Sequence, residues 1–367
     1  MDALIASLIA DGYRVLGPVV SGGAIVNGPL ESGDDLPAGW IDEQAAGRYR
    51  LVRAPGNAVF AHTVGPQGWK PLLFPPRQTL WRGSAEGDGF AIEPVAVEVV
   101  PTALIGVRGC DLAAISIQDR IFLEGPYVDS GYAARRDALF IVAVNCGRAT
   151  ETCFCTSMGT GPKAGPGYDL AITELCDSGR HDFIVDAGSE RGASLLARLS
   201  RRAAEPADLA AAAEAVAQAA ASQVRTMVPD AARVLKESLE HPRWDEVAQR
   251  CLACTNCTLV CPTCFCSTVE DVNGLEGGRF ERTRRWDSCF TLDHSYIRGG
   301  NVRRSTASRY RQWLTHKLAH WQDQFGTSGC TGCGRCIAWC PVRIDITEEV
   351  SAMARDAVAP ESDGGTA

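Results

Sequence analysis

The sequence lacks a long apolar run. Nowhere in its 367 residues are about 18 consecutive positions apolar, the length that a membrane-spanning helix needs. Its first residues, MDALIASLIADGYRVLGP, contain acidic side chains and no basic segment, so we do not expect a secretory signal. The net charge of −8 argues against general nucleic-acid binding. Together these features predict a cytoplasmic protein that has no membrane contact and binds no nucleic acid.

Histidine is also scarce, and the six histidines are scattered, so they indicate no catalytic cluster. No glycine-rich dinucleotide fingerprint follows a clear strand. GTGPKAG comes after a cysteine pair and lacks the helix pattern that should follow. We therefore expect neither flavin nor nicotinamide on this chain.

Cysteine, in contrast, is abundant, with 16 residues. Because the cytoplasm keeps thiols reduced, this number indicates metal sites rather than disulfides. Two runs have the spacing C-x2-C-x2-C-x3-C-P: CLACTNCTLVCP begins at Cys251 and CTGCGRCIAWCP begins at Cys330. This is the bacterial ferredoxin pattern for [4Fe–4S] clusters, in which the fourth cysteine of each run ligates the other cluster.

Crossed ligation assigns four cysteines to each of two predicted clusters. Cluster 1 takes Cys251, Cys254, Cys257 and Cys340, and cluster 2 takes Cys330, Cys333, Cys336 and Cys261. The alternative is a pair of zinc ribbons. Zinc binds four ligands and would leave the third cysteine and the Cys-Pro of each run unexplained.

A third [4Fe–4S] site is predicted in the first part of the chain, with Cys110, Cys146, Cys153 and Cys155 as ligands. Two of these follow predicted strands, and the other two lie in the glycine-rich loop ETCFCTSMGTGP. Ligands gather at strand ends in open α/β sheets. The alternative is that several are buried structural thiols.

The tetrapeptide TCFC recurs at 263–266, immediately after a cluster ligand. We expect Cys264 and Cys266 to support the clusters by packing or weak hydrogen bonds. The alternative is a rival site that they form with Cys289. Cys176 is interpreted as an ordinary thiol. The arginine-rich segment 279–317 is interpreted as a solvated face, a docking surface for an acidic partner, or countercharge that raises cluster potentials.

The predicted fold is an α/β or α+β domain over 1–205, with strands at YRVLGPVV, ALIGVRG, ALFIVAVNC and DFIVDAG. An alanine-rich helical connector over 206–245 follows. Residues 246–355 are expected to form a mostly helical domain that carries the two-cluster, ferredoxin-like module. Residues 356–367 are expected to be a disordered tail.

Several motifs together resemble a known family. They are CLACTNCTLVCPTCFC, WDSC, HK (His316 and Lys317) and CTGCGRCIAWCPVRIDI, with GVRGCDL, VAVNC, CFCTSMGTGP and GYDLAITEL in the first domain. They resemble the beta subunit of cytoplasmic sulfhydrogenase-type [NiFe] hydrogenases, and are similar to the electron-transfer subunit of anaerobic sulfite reductase. The resemblance extends over nearly the whole chain.

The resemblance implies a non-catalytic subunit that relays electrons between a catalytic module and a flavin- and NAD(P)-binding subunit. The catalytic module would be the small and large subunits of a [NiFe] hydrogenase, or the catalytic subunit of a sulfite reductase. The sequence does not show a CxxC pair at each end of a long chain, which is the type of site that a [NiFe] centre would suggest. Two other functions are a stand-alone catalyst that reduces sulfur or thiol substrates, and a redox sensor. The sensor would need a binding module that the sequence does not show.

Overall fold

The computed structural model describes residues 1–86, 89–177, 179–274 and 277–356. Its helices are α1 Asp2–Ala10, α2 Lys70–Leu73, α3 Gly109–Phe122, α4 Ser130–Asp137, α5 Glu190–Arg198, α6 Pro206–Ala221, α7 Ala231–Glu237, α8 Arg243–Arg250, α9 Asn256–Leu259, α10 Thr306–Thr315, α11 Trp321–Phe325, α12 Arg335–Ala338 and α13 Ile346–Asp356. Its strands are β1 Arg14–Ser21, β2 Ala24–Pro29, β3 Trp40–Ala45, β4 Arg48–Arg53, β5 Arg77–Glu86, β6 Gly89–Pro94, β7 Thr102–Arg108, β8 Leu139–Val144, β9 Leu170–Asp177, β10 Arg180–Ala187, β11 Ser267–Asn273, β12 Arg279–Trp286, β13 Tyr296–Ile297 and β14 Gly300–Asn301.

The largest sheet has six strands in the order β10-β9-β8-β7-β1-β2. Its inner strands β1, β7, β8 and β9 run parallel, and an antiparallel strand closes each edge. All six residues of β8 are buried. Phe140, Val142 and Val144 pack into the core beside α1, whereas Leu139 and Ile141 pack on the opposite face, in the core beside α3. This alternation explains why the strand reads as a continuous apolar run.

The four predicted strands are confirmed as β1, β7, β8 and β10, and the alanine-rich segment is confirmed as helix α6. The fold is mixed α/β. In the described residues, no helix has both the length and the apolar character required to cross a bilayer. Of the expected tail, only Asp356 is described, and it is the last residue of α13. The remaining positions, 357–367, lie outside the described residues.

A second sheet has four strands in the order β11-β12-β5-β6, all antiparallel neighbours. It pairs strands from either side of the expected connector at 206–245, since β5 and β6 precede the connector and β11 and β12 follow it. Gly83 on β5 pairs with Phe280 on β12, and a Cβ at Gly83 would lie 2.2 Å from the Phe280 ring. The absence of a side chain at Gly83 therefore lets the Phe280 ring approach the β5 backbone closely.

A third hydrophobic core, besides the two on the faces of the six-stranded sheet, lies under helices α7, α8, α10 and α13. It contains Trp244, Tyr310 and Trp313. The segment SRYRQWLTHKLAHWQDQFG contains helices α10 and α11, which a π-helical turn over His316–His320 joins. A π turn shifts the side chains that follow relative to a regular helix. Its Lys317 is buried in this core region rather than facing solvent.

Candidate iron–sulfur centres

The two cysteine runs fold into loops of the same backbone shape. Two left-handed residues occupy equivalent places in each, Ala253 and Thr255 in the first and Gly332 and Gly334 in the second, with φ between 48° and 75°. In both loops the amide two residues after the first cysteine donates to that cysteine's sulfur at 3.4 Å. A four-residue helix follows in each, α9 or α12. The sequence repeat is thus a structural repeat.

The first group of cysteines surrounds one cavity. Three of its members come from the first run and one from the second, and apolar side chains such as Phe290 and Trp313 line the rest. The four thiols of the predicted cluster 1, with Cys336 beside them, are Cys251, Cys254, Cys257, Cys336 and Cys340. Cys254 is exposed and Leu252 is 64% exposed, so this group reaches the surface.

The second group brings Cys261 of the first run beside the other three cysteines of the second run. Together with burial, a negative charge on Cys261 acts on the thiols of Cys330, Cys333 and Cys336 and raises the pKa of each. Burial raises the pKa of Cys330 to about 12 and raises the pKa of Cys336 well above its usual value. Thiols with such pKa values stay protonated at neutral pH unless a metal displaces the proton.

The third group lies at the carboxyl ends of two parallel strands, as the sequence predicted. Cys110 lies in the first turn of α3 after β7, and Cys146 follows β8. Both line one cavity with Cys153 and Cys155. Burial raises the pKa of Cys153 to about 11 and that of Cys155 to about 12.

Three polar side chains contact the sulfurs of this third group. Gln223 Nε2 donates to Cys155 Sγ at 3.1 Å, Thr150 Oγ1 lies 3.3 Å from Cys153 Sγ, and Arg108 Nη1 lies 3.8 Å from Cys146 Sγ. Donors around sulfur stabilise a thiolate or a cluster sulfide. They extend the site beyond its cysteines.

The three groups are contiguous. Cys333 of the second group lines the cavity of the third, and Cys336 of the second lines the cavity of the first. Gly332 and Gly334 allow this closeness, because a Cβ on them would lie 2.7 Å from the Cys155 backbone and 2.2 Å from Thr152 O. The second group therefore lies between the other two.

Buried charges accompany the second group. Lys317 Nζ donates to Thr263 Oγ1 at 2.8 Å and to Gly329 O at 3.1 Å, and lies 3.4 Å from Cys261 Sγ. Burial opposes the charge of Lys317, but nearby thiols, Cys261 first, outweigh it and raise the pKa of the ammonium. The sequence pattern indicated no role for Lys317, although it belongs to the HK motif.

Arg335, which lies between two cysteines of the second run, is another buried cation that was not predicted from the sequence. Its Nη1 lies 2.7 Å from Asp111 Oδ1, and its Nε donates to Gly65 O at 2.9 Å. Asp111 directly follows Cys110, so the pair ties the second group to the third. The sequence feature that could have indicated this role is the position of Arg335 within the cysteine run, at CTGCGRC.

The arginine-rich segment 279–317 is only partly a free basic face. Arg282 pairs with Asp271 at 2.7 Å, and Arg284 pairs with Asp129. Arg285 donates to Glu270 at 2.7 Å. The first part of the arginine-rich segment is the strand β12, and acidic side chains of this chain neutralise these three arginine charges.

The geometry of the cysteine groups suits clusters better than single ions. A zinc ion with Zn–S bonds of about 2.3 Å needs sulfurs about 3.8 Å apart. Among the residues that the structure describes, no three or more His, Cys, Asp or Glu side chains converge closely enough to hold one metal ion. An iron–sulfur cluster spreads its ligands over several metal atoms. The buried, mostly apolar cavities and the four thiols of each group fit such a cofactor.

Comparison with known proteins agrees with this chemistry. A family described as a 4Fe-4S dicluster domain matches residues 250–344, which contain both cysteine runs. Sulfhydrogenase 2 subunit beta of Pyrococcus furiosus is 33% identical over 256 residues, which are 66% of this chain and 71% of that protein. The chain contains [4Fe–4S] sites, and it belongs to the family of sulfhydrogenase beta subunits, iron–sulfur electron-transfer subunits of hydrogenases.

Proposed function

We propose that this chain is an electron relay with three [4Fe–4S] clusters. The proposed ligands are Cys251, Cys254, Cys257 and Cys340 for cluster 1, Cys330, Cys333, Cys336 and Cys261 for cluster 2, and Cys110, Cys146, Cys153 and Cys155 for cluster 3. The contiguity of the three cysteine groups, through Cys336 in the first cavity and Cys333 in the third group's cavity, carries this proposal. When bound, the clusters supply one-electron acceptors. The chain orders them, covers them with apolar residues and fixes their surrounding charge.

The two ends of this arrangement suggest where electrons are exchanged with partners. Cluster 1 lies beneath the exposed Cys254 and Leu252, and cluster 3 lies at the strand ends of the six-stranded sheet. The named relative belongs to a sulfhydrogenase. We therefore place this chain between the small and large subunits of a [NiFe] hydrogenase and a flavin- and NAD(P)-binding subunit, in the cytoplasm, with no catalytic centre of its own.

The domain division is part of the same proposal. Residues 1–205 hold cluster 3, 206–245 form a helical connector, and 246–355 hold clusters 1 and 2 in a mostly helical, ferredoxin-like module. The four-stranded sheet joins the first and last of these parts through β5 and β12. The parts that carry the three proposed clusters would therefore keep fixed positions relative to one another.

Iron and acid-labile sulfide analysis of the anaerobically purified chain tests the cluster proposal. The three groups account for about twelve irons per chain. The double substitution Cys153→Ser, Cys155→Ser should remove about four of them, whereas Cys176→Ser at an exposed position should remove none. Unchanged iron in the double variant, or zinc in place of iron, contradicts it.

Co-purification tests the partners. The native complex should contain a flavoprotein and a nickel-containing subunit. A sirohaem-containing partner would instead identify a sulfite reductase. Turnover of a sulfur or thiol substrate by the isolated chain with an artificial donor would contradict a pure relay.

A further inference from the structure

A cleft of about 350 Å³ lies beside the second cysteine group and is distinct from the cavities of the first and third groups. Helix α3 and the start of α7 contribute to its walls, together with residues between 326 and 330. Cys330, a proposed ligand of cluster 2, belongs to the lining. Small-molecule sites in proteins have volumes of roughly 300–1,000 Å³. The cleft is therefore large enough for a small ligand, which would lie against the second group.

The lining of the cleft is hydrogen-bonded to the loops of two cysteine groups. The Cys330 amide donates to Ser328 Oγ at 3.1 Å, and Ser328 lines the cleft. Thr160, another lining residue, donates through Oγ1 to Thr331 O at 2.6 Å and through its amide to Cys155 O at 3.0 Å. A ligand in the cleft would therefore contact residues that support both the second and the third group.

The charge of the cleft comes from one arginine. Among the described residues that line it, Arg120 is the only basic side chain and none is acidic. Arg120 Nη1 donates to Phe325 O at 2.8 Å, a neutral partner that leaves the guanidinium charge uncompensated. The acid next to it in sequence, Asp119, is already paired with Arg136 at 3.1 Å. Because a guanidinium presents five N–H donors in a planar fork, it recognises the oxygens of carboxylates, sulfonates and phosphates.

The remaining lining suits an anion that carries an apolar body. Ser116 and Thr327 supply hydroxyl groups, which can donate to further oxygens of an anion. Met158, Met227 and Leu318 supply apolar surface. Methionine side chains adapt to irregular shapes, so this surface can cover a flat or branched ligand. A few polar groups within apolar walls are the usual composition of a small-molecule site.

From this geometry we propose that the cleft binds a small anionic molecule with an apolar body, and that Arg120 holds its anionic group. This binding is independent of the three-cluster relay, but its electrical consequence rests on that proposed function. Net charge near a cluster helps to set its reduction potential. An anion bound beside Cys330 would oppose the added electron and make the potential of cluster 2 more negative. The ligand would thus regulate the relay at its middle cluster.

Naphthalene-2-sulfonate is the probe, and naphthalene-2-sulfonamide is a neutral control of nearly the same shape. Isothermal titration calorimetry of the whole anaerobic chain should show that the sulfonate binds about 10- to 100-fold more tightly, because only the sulfonate forms a charge-assisted hydrogen bond. Arg120→Met should remove this preference, and Arg120→Lys should restore part of it. Arg233→Met is the matched control, since Arg233 lies on α7 outside the lining and should leave the affinity unchanged.

Ser116→Trp gives a second variant in case Arg120→Met does not fold. Ser116 lies at an exposed position of α3, so a large side chain there fills the cleft and leaves Arg120 in place. Sulfonate binding should be lost. Equal affinities of the wild type for the two probes, no binding, or unchanged binding in a folded Arg120→Met or Ser116→Trp variant overturns the proposal. A native complex that binds no sulfonate although the isolated chain does overturns it as well, because a partner subunit would then cover the cleft.

A redox titration followed by EPR, with and without saturating naphthalene-2-sulfonate, tests the electrical consequence. The potential of cluster 2 should become more negative in the wild type and stay unchanged in Arg120→Met. An unshifted potential with the sulfonate bound overturns the regulatory role. Iron analysis keeps the two proposals separate: about twelve irons without sulfonate binding overturns only the cleft site, whereas sulfonate binding with a low iron content overturns only the three-cluster relay.

Discussion

Arg335 and Asp111 form a buried ion pair, with Nη1 and Oδ1 2.7 Å apart and both residues almost wholly covered. Asp111 belongs to the sheet-based part of the chain, and Arg335 lies inside the second cysteine run. The pair therefore clamps two parts of the molecule at the point where two proposed clusters approach each other.

Substituting Arg335→Met should destabilise the chain by about 3–5 kcal/mol, because it leaves the Asp111 carboxylate buried without its partner. A lower denaturant midpoint of the anaerobic, iron-loaded chain would show this. Arg233→Met is the control, since it breaks only exposed pairs with Glu237 and Asp230 and should cost about 0–1 kcal/mol. Similar losses from both would contradict a special role for the buried pair.

Gly334→Ala should displace the second cysteine loop from the segment that carries Cys153 and Cys155. The new Cβ would meet Thr152 O at 2.2 Å, in addition to the strain of φ +75°. Gly326→Ala adds comparable strain at φ +66° in open space and should cost only about 1–2 kcal/mol. EPR of both variants separates the effects: only Gly334→Ala should disturb the proposed cluster 3, and a normal spectrum would argue against the close contact.

Lys317→Met should make the potential of the proposed cluster 2 more negative. Reduction adds negative charge, and the ammonium 3.4 Å from Cys261 Sγ favours the reduced form. Lys317→Arg keeps the charge and should recover most of the shift. A redox titration followed by EPR measures the change, with the exposed Lys236→Met as the control. An unshifted potential in Lys317→Met would show that the charge is screened.

Cys261→Ser should damage the cluster of Cys330, Cys333 and Cys336 more than the cluster next to Cys261 in sequence. Cys340→Ser should do the converse, because Cys340 lines the cavity of Cys251 and Cys257. Spectra that resolve the two clusters distinguish these variants. If each substitution damaged only the cluster of its own cysteine run, the four cysteines of each run would ligate a single cluster, and ligation would not be crossed.

The sequence was informative wherever short-range pattern determines structure. The strand at Leu139–Val144 follows from its apolar run, and the matching turns at Thr255 and Gly334 follow from the repeated spacing. The convergence of Cys110 with Cys155 could also be predicted, since parallel strands end at the same edge of a sheet.

Contacts between residues far apart in the chain could not be predicted from the sequence. RFERTRRW was interpreted by its charge, although it forms strand β12 between β11 and β5, and Arg284 pairs with Asp129 on a distant element. The burial of Lys70 likewise depends on Trp286, more than 200 positions away. Such contacts arise from the tertiary arrangement and leave no local periodicity.

The pairing of β5 with β12 has a consequence for biosynthesis. About 185 residues are added after Pro94 before Arg279 leaves the ribosome, which takes about 10–40 s at ordinary translation rates. Until then the hydrogen-bonding edge of β5 has no partner, and an open strand edge can pair with other chains. A shortened chain ending before β11 would retain that open edge permanently. Heterologous production should therefore favour the complete polypeptide over separately expressed halves.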